Sequence, residues 1–94
     1  MQQAGAQMLV VECVPASLGK EVSASVDIPL IGIGAGSDCD GQVLVMHDML
    51  GLTDWSPSFA KQYANLGALA SQAARNFAEE VTNSKFPDEA HSYR

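Results

Sequence analysis

The chain has 94 residues, with five Lys or Arg against eleven Asp or Glu and a formal net charge of −6. Nucleic-acid binding is excluded as a function class, because phosphate contacts need clustered basic side chains and these five are scattered. No apolar run approaches the roughly 20 residues that span a bilayer, the N-terminus does not resemble a secretory signal, and two cysteines are too few for a disulfide scaffold, so we expect a soluble cytoplasmic protein.

The first third of the chain predicts two buried strands separated by one helix. Residues 8–12 form a short apolar run, which is typical of a strand covered on both faces. Pro15 then stands where a helix can begin, and apolar residues recur every fourth position, so we predict a helix over 16–25. Pro29 precedes a second apolar run, which predicts a strand at 30–33.

The rest of the chain predicts one more strand and two helices. The apolar run near 42–47 predicts the third strand, although the connection before it is short for a parallel crossover. A Ser-Pro start signal predicts a helix near 57–66. After an interruption at Gly67, apolar residues four apart predict a second helix near 68–83.

This order of elements is typical of an α/β fold with a parallel sheet covered on both faces. Three strands with one full crossover helix would leave apolar strand edges unpaired, which native proteins normally avoid. We therefore expect residues 1–94 to be one C-terminal piece of a larger single domain.

Four residues are candidates for function, each with a structural alternative. Glu12 ends the first apolar run, so it is a candidate general base, or else a solvated strand end or a member of a salt bridge. Gly34 and Gly36 could bring backbone N–H groups close to a ligand, or serve only a tight turn. His47, beside Asp48 at the predicted end of the third strand, could line a substrate pocket, or be a hydrogen-bonded structural feature.

Other chemistry-bearing residues favour structural roles. Cys13 has no histidine partner nearby in sequence, so it is not a candidate nucleophile. No run of acids forms a metal motif. We expect the larger aromatic side chains to lie in a core or a subunit interface; they are Trp55, Phe59, Tyr63 and Phe77.

The segments "AGAQMLVVECVP", "IPLIGIGAG", "DGQVLVMHDMLGL" and "FPDEAHSY" closely resemble the C-terminal third of the ketopantoate hydroxymethyltransferase family, in the family's order and spacing. The resemblance covers essentially the whole chain. It implies a (β/α)8 TIM barrel of the phosphoenolpyruvate/pyruvate type, which needs about 250 residues. This chain would supply three parallel strands, the sixth to the eighth, followed by the C-terminal helices.

The resemblance also implies an activity. The family transfers a hydroxymethyl group from 5,10-methylenetetrahydrofolate to 3-methyl-2-oxobutanoate, giving 2-dehydropantoate for pantothenate and coenzyme A synthesis. Glu12, in its "ECVP" context, matches the family's catalytic glutamate. A magnesium ion holds the keto acid through ligands on strands outside this chain. Members are homo-oligomers, commonly decamers, with C-terminal helices packed across subunits.

Two functions remain open from the sequence. In the first, the chain is part of, or complements, a hydroxymethyltransferase, and is inactive alone because the metal-binding strands are absent. In the second, it is an inactive truncated remnant that acts only as an association or interaction piece.

Overall fold

The computed structural model describes all 94 residues and contains three strands and three α-helices, with a 3₁₀ turn near each end. The strands are β1 (Leu9–Glu12), β2 (Leu30–Ile33) and β3 (Gly41–Gln42). The helices are α1 (Ala16–Ser25), α2 (Met46–Leu50) and α3 (Leu66–Thr82), and the 3₁₀ turns are Gln2–Ala4 and Glu89–His91.

The strands form one sheet in the order β1-β2-β3, and both neighbouring pairs are parallel. The predicted α/β fold with three parallel strands is therefore confirmed. α1 is the crossover between β1 and β2, whereas residues 34–40 join β2 to β3 without a helix. This second connection is shorter than the dozen or more residues that a parallel crossover usually takes.

The two faces of the sheet differ in exposure. Because side chains alternate along a strand and Glu12 pairs with Ile33, Glu12, Val10 and Ile33 share one face. On the opposite face Leu30 is only 1% exposed, whereas Val10 on Glu12's side is 64% exposed. We call the side that carries Val10, Glu12, Ile31 and Ile33 the open face.

Two glycines allow close packing on the covered face. A Cβ atom on Gly32 would stand 2.7 Å from the sulfur of Cys39, and one on Gly19 would collide with the carbonyl oxygen of Ala35. Both positions are buried. Gly19 lowers helix propensity in α1, and the structure explains its presence: the loop after β2 passes directly against the helix.

The third strand is shorter than the predicted 42–47. The Val43 N–H still donates to the Gly32 carbonyl at 3.0 Å, but residues 46–50 form α2. β2 ends at Ile33 and Gly34 turns away with a φ of 62°, so later residues have no strand to pair with. A left-handed Gly51 then ends α2.

The predicted helix at 57–66 is wrong. Two of its backbone donors form tertiary hydrogen bonds instead, because the N–H groups of Tyr63 and Ala64 donate to the carbonyl of Met49 at 2.8 Å and 3.3 Å. The segment contains a turn, in which the N–H of Ala60 donates to the carbonyl of Pro57 at 3.0 Å, and no helix. α3 begins only at Leu66 and includes Gly67, which does not interrupt it.

The chain is elongated, measuring 68 × 28 × 16 Å, and only six of its 94 residues are buried. Every residue of α3 is exposed except the half-buried Gly67. Trp55, Tyr63 and Phe77 are also exposed, so they do not form a core within this chain. None of the helices has the length and apolar content needed to cross a membrane.

Candidate functional site

Glu12 is the last residue of β1, so it lies at the carboxyl edge of the parallel sheet. The side chain stands on the open face and is exposed. Its carboxylate has no hydrogen-bond or ion-pair partner. A free carboxylate at this edge can accept a proton from a molecule bound over the open face.

The backbone leaves the edge of the sheet in an unusual way on both strands. Directly after Glu12, Cys13 has a φ of 55°, and directly after Ile33, Gly34 has a φ of 62°. The N–H of Cys13 donates to the Ile33 carbonyl at 3.0 Å, and the N–H of Val14 donates to the Gly34 carbonyl at 3.1 Å. The backbone therefore turns at the same level after β1 and after β2, just beyond the Glu12 carboxylate.

Gly34 and Gly36 both have structural reasons to be glycine. Their φ values are 62° and 85°, in the left-handed region that other residues rarely adopt. A Cβ on Gly34 would stand 2.8 Å from the Phe59 ring, and one on Gly36 would stand 2.6 Å from the Ala16 Cβ. The turn and the packing account for both glycines.

A cavity of about 600 Å³ opens beside these glycines. Its walls come from the residues after β1, the loop between β2 and β3, and the segment after α2; they include Val14, Ala16, Gly36, Asp40, Gln42 and Phe59. Glu12 does not line this cavity. The structure thus places Gly34 and Gly36 together in the wall of this cavity, which we call the rim cavity. Glu12 lies next to them on the open face.

His47 lies elsewhere than predicted. It is the second residue of α2 rather than the end of a strand, and its side chain is exposed. Its carbonyl accepts from the N–H of Leu52 at 2.9 Å. His47 does not line the rim cavity, so the structure does not bring it together with the glycines there.

The residues of this chain do not fit a magnesium site. No group of three or more His, Cys, Asp or Glu side chains lies close enough to hold a metal ion. Asp40 is engaged in the fold, since its carboxylate accepts from the N–H of Leu30 at 2.8 Å. Any metal bound over the open face would need ligands from outside this chain.

The C-terminal tail forms a small cluster at the end of α3. Phe86 stacks edge-on against Phe77 with ring centroids 5.5 Å apart. The Asp88 carboxylate accepts from the ring Nδ1 of His91 at 2.5 Å and from the backbone N–H of His91 at 3.0 Å. The hydrogen bond from the His91 side chain is the main reason that the pKa of Asp88 lies below its usual 3.8.

Comparison with known proteins identifies the chain's relatives. A model of the ketopantoate hydroxymethyltransferase family matches residues 1–89. The chain belongs to the ketopantoate hydroxymethyltransferase family. The resemblance stated from the four sequence segments is therefore confirmed.

Curated relatives agree with the family match. The 3-methyl-2-oxobutanoate hydroxymethyltransferase of Idiomarina loihiensis is 54% identical, covering 100% of this chain and 36% of its own length. The enzymes of the same name from Moorella thermoacetica and Pyrobaculum aerophilum are 53% and 50% identical, covering 98% and 97% of this chain. This chain spans 35% of the length of each of these two relatives.

Two features of the site were not predicted from the sequence. The left-handed backbone at Cys13 has no sequence signal, since Gly, Asn and Asp are the usual residues there. The contact between Phe59 and Gly34 joins residues far apart in sequence. Only the residue type at position 34, a glycine after an apolar strand, pointed to a turn.

Proposed function

We propose that this chain carries the catalytic base of a 3-methyl-2-oxobutanoate hydroxymethyltransferase, and that the base is Glu12. The observation that supports this most directly is the position of Glu12, at the carboxyl end of a parallel strand and on the open face of the sheet. Enzymes built on parallel β/α barrels place their chemistry at that end of the strands. The relatives that share about half of this sequence carry the name of this enzyme.

In the proposed reaction, Glu12 removes the proton from C3 of 3-methyl-2-oxobutanoate, the carbon next to the keto group. The electron pair of the broken C–H bond moves into the enolate, whose charge rests on the keto oxygen. C3 of the enolate then attacks the methylene carbon of 5,10-methylenetetrahydrofolate. A C–C bond forms as one carbon–nitrogen bond to the folate breaks, and water then supplies the hydroxyl group of 2-dehydropantoate as the second carbon–nitrogen bond breaks. Both nitrogens leave as N–H groups of tetrahydrofolate, taking up the proton that Glu12 removed and the proton released by the water.

The proposed architecture is a (β/α)8 barrel in which residues 1–94 supply three adjacent strands and the helices after them. An exposed apolar side chain on the open face supports this arrangement, because Val10 is 64% exposed here. In a closed barrel such side chains fill the interior. Glu12 would then point into the mouth of the barrel, beside the last interior layer.

The proposal also includes the other groups expected to contact the substrates. Gly34 directly follows Ile33, the partner of Glu12, and both Gly34 and Gly36 line the cavity there, which supports a role in shaping the substrate site. His47 lies apart from them on α2, and a substrate contact from it belongs to the proposal only through the sequence resemblance. Magnesium is expected as the ion that holds the keto acid. Its ligands would come from outside this chain, and no step above depends on it.

A homo-oligomer, commonly a decamer in the family, is the proposed assembly. The exposed apolar side chains of α3 support it, because Leu69 and Phe77 are 65% and 56% exposed and such surfaces mark interaction sites. The proposed compartment is the cytoplasm, where Cys13 and Cys39 would stay as free thiols. The alternative of an inactive remnant is disfavoured, since identity above 50% extends over essentially the whole chain.

The test replaces the matching segment of the Idiomarina loihiensis relative with this chain, which gives a chimera that retains the rest of the enzyme. We expect Glu12→Gln to slow hydroxymethyl transfer by about a hundredfold or more. The control is Glu21→Gln, which removes an exposed carboxylate from α1 and should keep activity within about twofold.

A second assay isolates the proton transfer. The chimera is mixed with 3-methyl-2-oxobutanoate in deuterated water without folate, and exchange at C3 is followed by NMR. Glu12→Gln should abolish this exchange and Glu21→Gln should not. Full exchange in the Glu12→Gln chimera would show that another group is the base.

A further inference from the structure

The residue that follows Glu12 adopts a backbone conformation unusual for a residue with a side chain. Cys13 has a φ of 55°, and the one other non-glycine residue with a positive φ is Ser84, beyond the end of α3. Left-handed backbone is disfavoured for residues that carry a Cβ, and Cys is not among the residues enriched there. The surrounding structure must therefore impose it, and such residues cluster at functional sites.

Two hydrogen bonds show what imposes this conformation. In a regular strand, successive N–H groups point to opposite sides, so one neighbouring strand receives every second donor. Here the N–H groups of Cys13 and Val14 donate in succession to the same neighbouring segment, at the carbonyl of Ile33, which ends β2, and that of Gly34, which follows it. A left-handed residue between them turns the peptide as in a β-bulge, a feature that re-aims side chains beside active sites.

The turn at Cys13 also separates Glu12 from the chain that follows it. Pro15 leads into α1, whose Gly19 packs against Ala35, the same residue that lies over Gly32 on the covered face, so the backbone leaves toward that face. Glu12 remains paired with Ile33 on the open face. If β1 continued as a regular strand through Cys13, the next residues would extend along the sheet edge where the substrate must approach.

We propose that the left-handed turn at Cys13 positions the Glu12 carboxylate for proton abstraction. This inference rests on the proposed function. Cys13 is a positioning residue, and what matters is its backbone conformation rather than its thiol. Residues that tolerate left-handed backbone should therefore replace it, and β-branched residues should not.

The test uses the chimera with two variants of similar side-chain size, Cys13→Asn and Cys13→Val. Asparagine tolerates left-handed backbone and valine does not. We expect Cys13→Asn to keep the rate of C3 proton exchange within about threefold, and Cys13→Val to lower it by about tenfold to a hundredfold. The KM for 3-methyl-2-oxobutanoate should change little, because the carboxylate is displaced while the binding groups are not.

Cys13→Gly keeps the inference testable if Cys13→Val does not assemble. Glycine adopts left-handed backbone freely, so Cys13→Gly should equal or exceed the unsubstituted exchange rate. Equal rates for Cys13→Val and Cys13→Asn would overturn the inference. So would a large loss in both Cys13→Asn and Cys13→Gly, which would indicate that the thiol itself is needed.

The two proposals fail separately. If Glu12→Gln keeps full exchange, the proposed base is wrong. If Glu12→Gln is inactive while Cys13→Val exchanges at the unsubstituted rate, the base stands and only the positioning role of Cys13 is lost. A crystal structure of the unsubstituted chimera gives a second test, because an extended backbone at Cys13 would overturn the inference whatever the rates.

Discussion

Replacing Gly34 by alanine tests how much the left-handed turn after β2, and its contact with Phe59, contribute to stability. Two costs combine at this position. A left-handed backbone costs a residue with a Cβ about 1–2 kcal/mol. The new Cβ would also stand 2.8 Å from Cδ2 and 2.9 Å from Cγ of Phe59, and such overpacking costs about 1–3 kcal/mol. The free energy of unfolding should therefore fall by about 2–5 kcal/mol in total.

Gly5→Ala is the matched control, because Gly5 has a φ of 106° but no atom within 4 Å of its Cβ position. Gly5→Ala should lower the free energy of unfolding only by the cost of the left-handed backbone, about 1–2 kcal/mol. Thermal unfolding of the chimera measures both, since 1 kcal/mol lowers the Tm of a domain of this size class by about 2–4 °C.

A double mutant separates the two costs at Gly34. In a Phe59→Ala background the ring is gone, so Gly34→Ala should cost no more than Gly5→Ala does. An equal loss of Tm in Gly34→Ala and Gly5→Ala would contradict a clash with Phe59, and so would an unchanged cost of Gly34→Ala once the Phe59 ring is removed.

Two further predictions concern α3 and the tail. Leu69→Glu puts a charge on the exposed apolar side of α3, so sedimentation velocity of the chimera should show a smaller assembly. The control Gln72→Glu should leave the assembly unchanged. An unchanged assembly for Leu69→Glu would argue against α3 as an interface. Because the pKa of Asp88 is lowered, its contact with His91 should persist above pH 3.8 and be lost only as pH falls through the lower folded value. NMR titration of the Asp88 carboxyl group should give a midpoint below 3.8 that rises toward 3.8 in His91→Ala, and identical midpoints would contradict this assignment.

The first half of the fold could be predicted from the sequence because its signals are local. β1, α1 and β2 each lie between a proline or glycine and a change in hydrophobic pattern, and their observed bounds differ from the predicted ones by at most one residue. The parallel arrangement followed from continuous apolar runs. The position of Glu12 at the end of β1 followed from the same pattern, since the apolar run stops there.

The second half of the fold could not be predicted in the same way, because its structure depends on contacts between residues far apart in sequence. An apolar run such as residues 43–46 fits a strand or a helix equally well, and the end of β2 at Ile33 decides between them. Tyr63 and Gly67 bond to the end of α2, which overrides the local helix signal at 57–66. The turn at Cys13 was invisible for the same reason, because it depends on carbonyl groups of β2.

The most direct test of Glu12 as the base is a crystal structure of the chimera with 3-methyl-2-oxobutanoate bound. The proposal predicts that a carboxylate oxygen of Glu12 lies about 3–3.5 Å from C3 of the keto acid, the separation of a reacting pair. A keto acid bound with its C3 out of reach of Glu12, or a Glu12 side chain turned to the covered face, would contradict it.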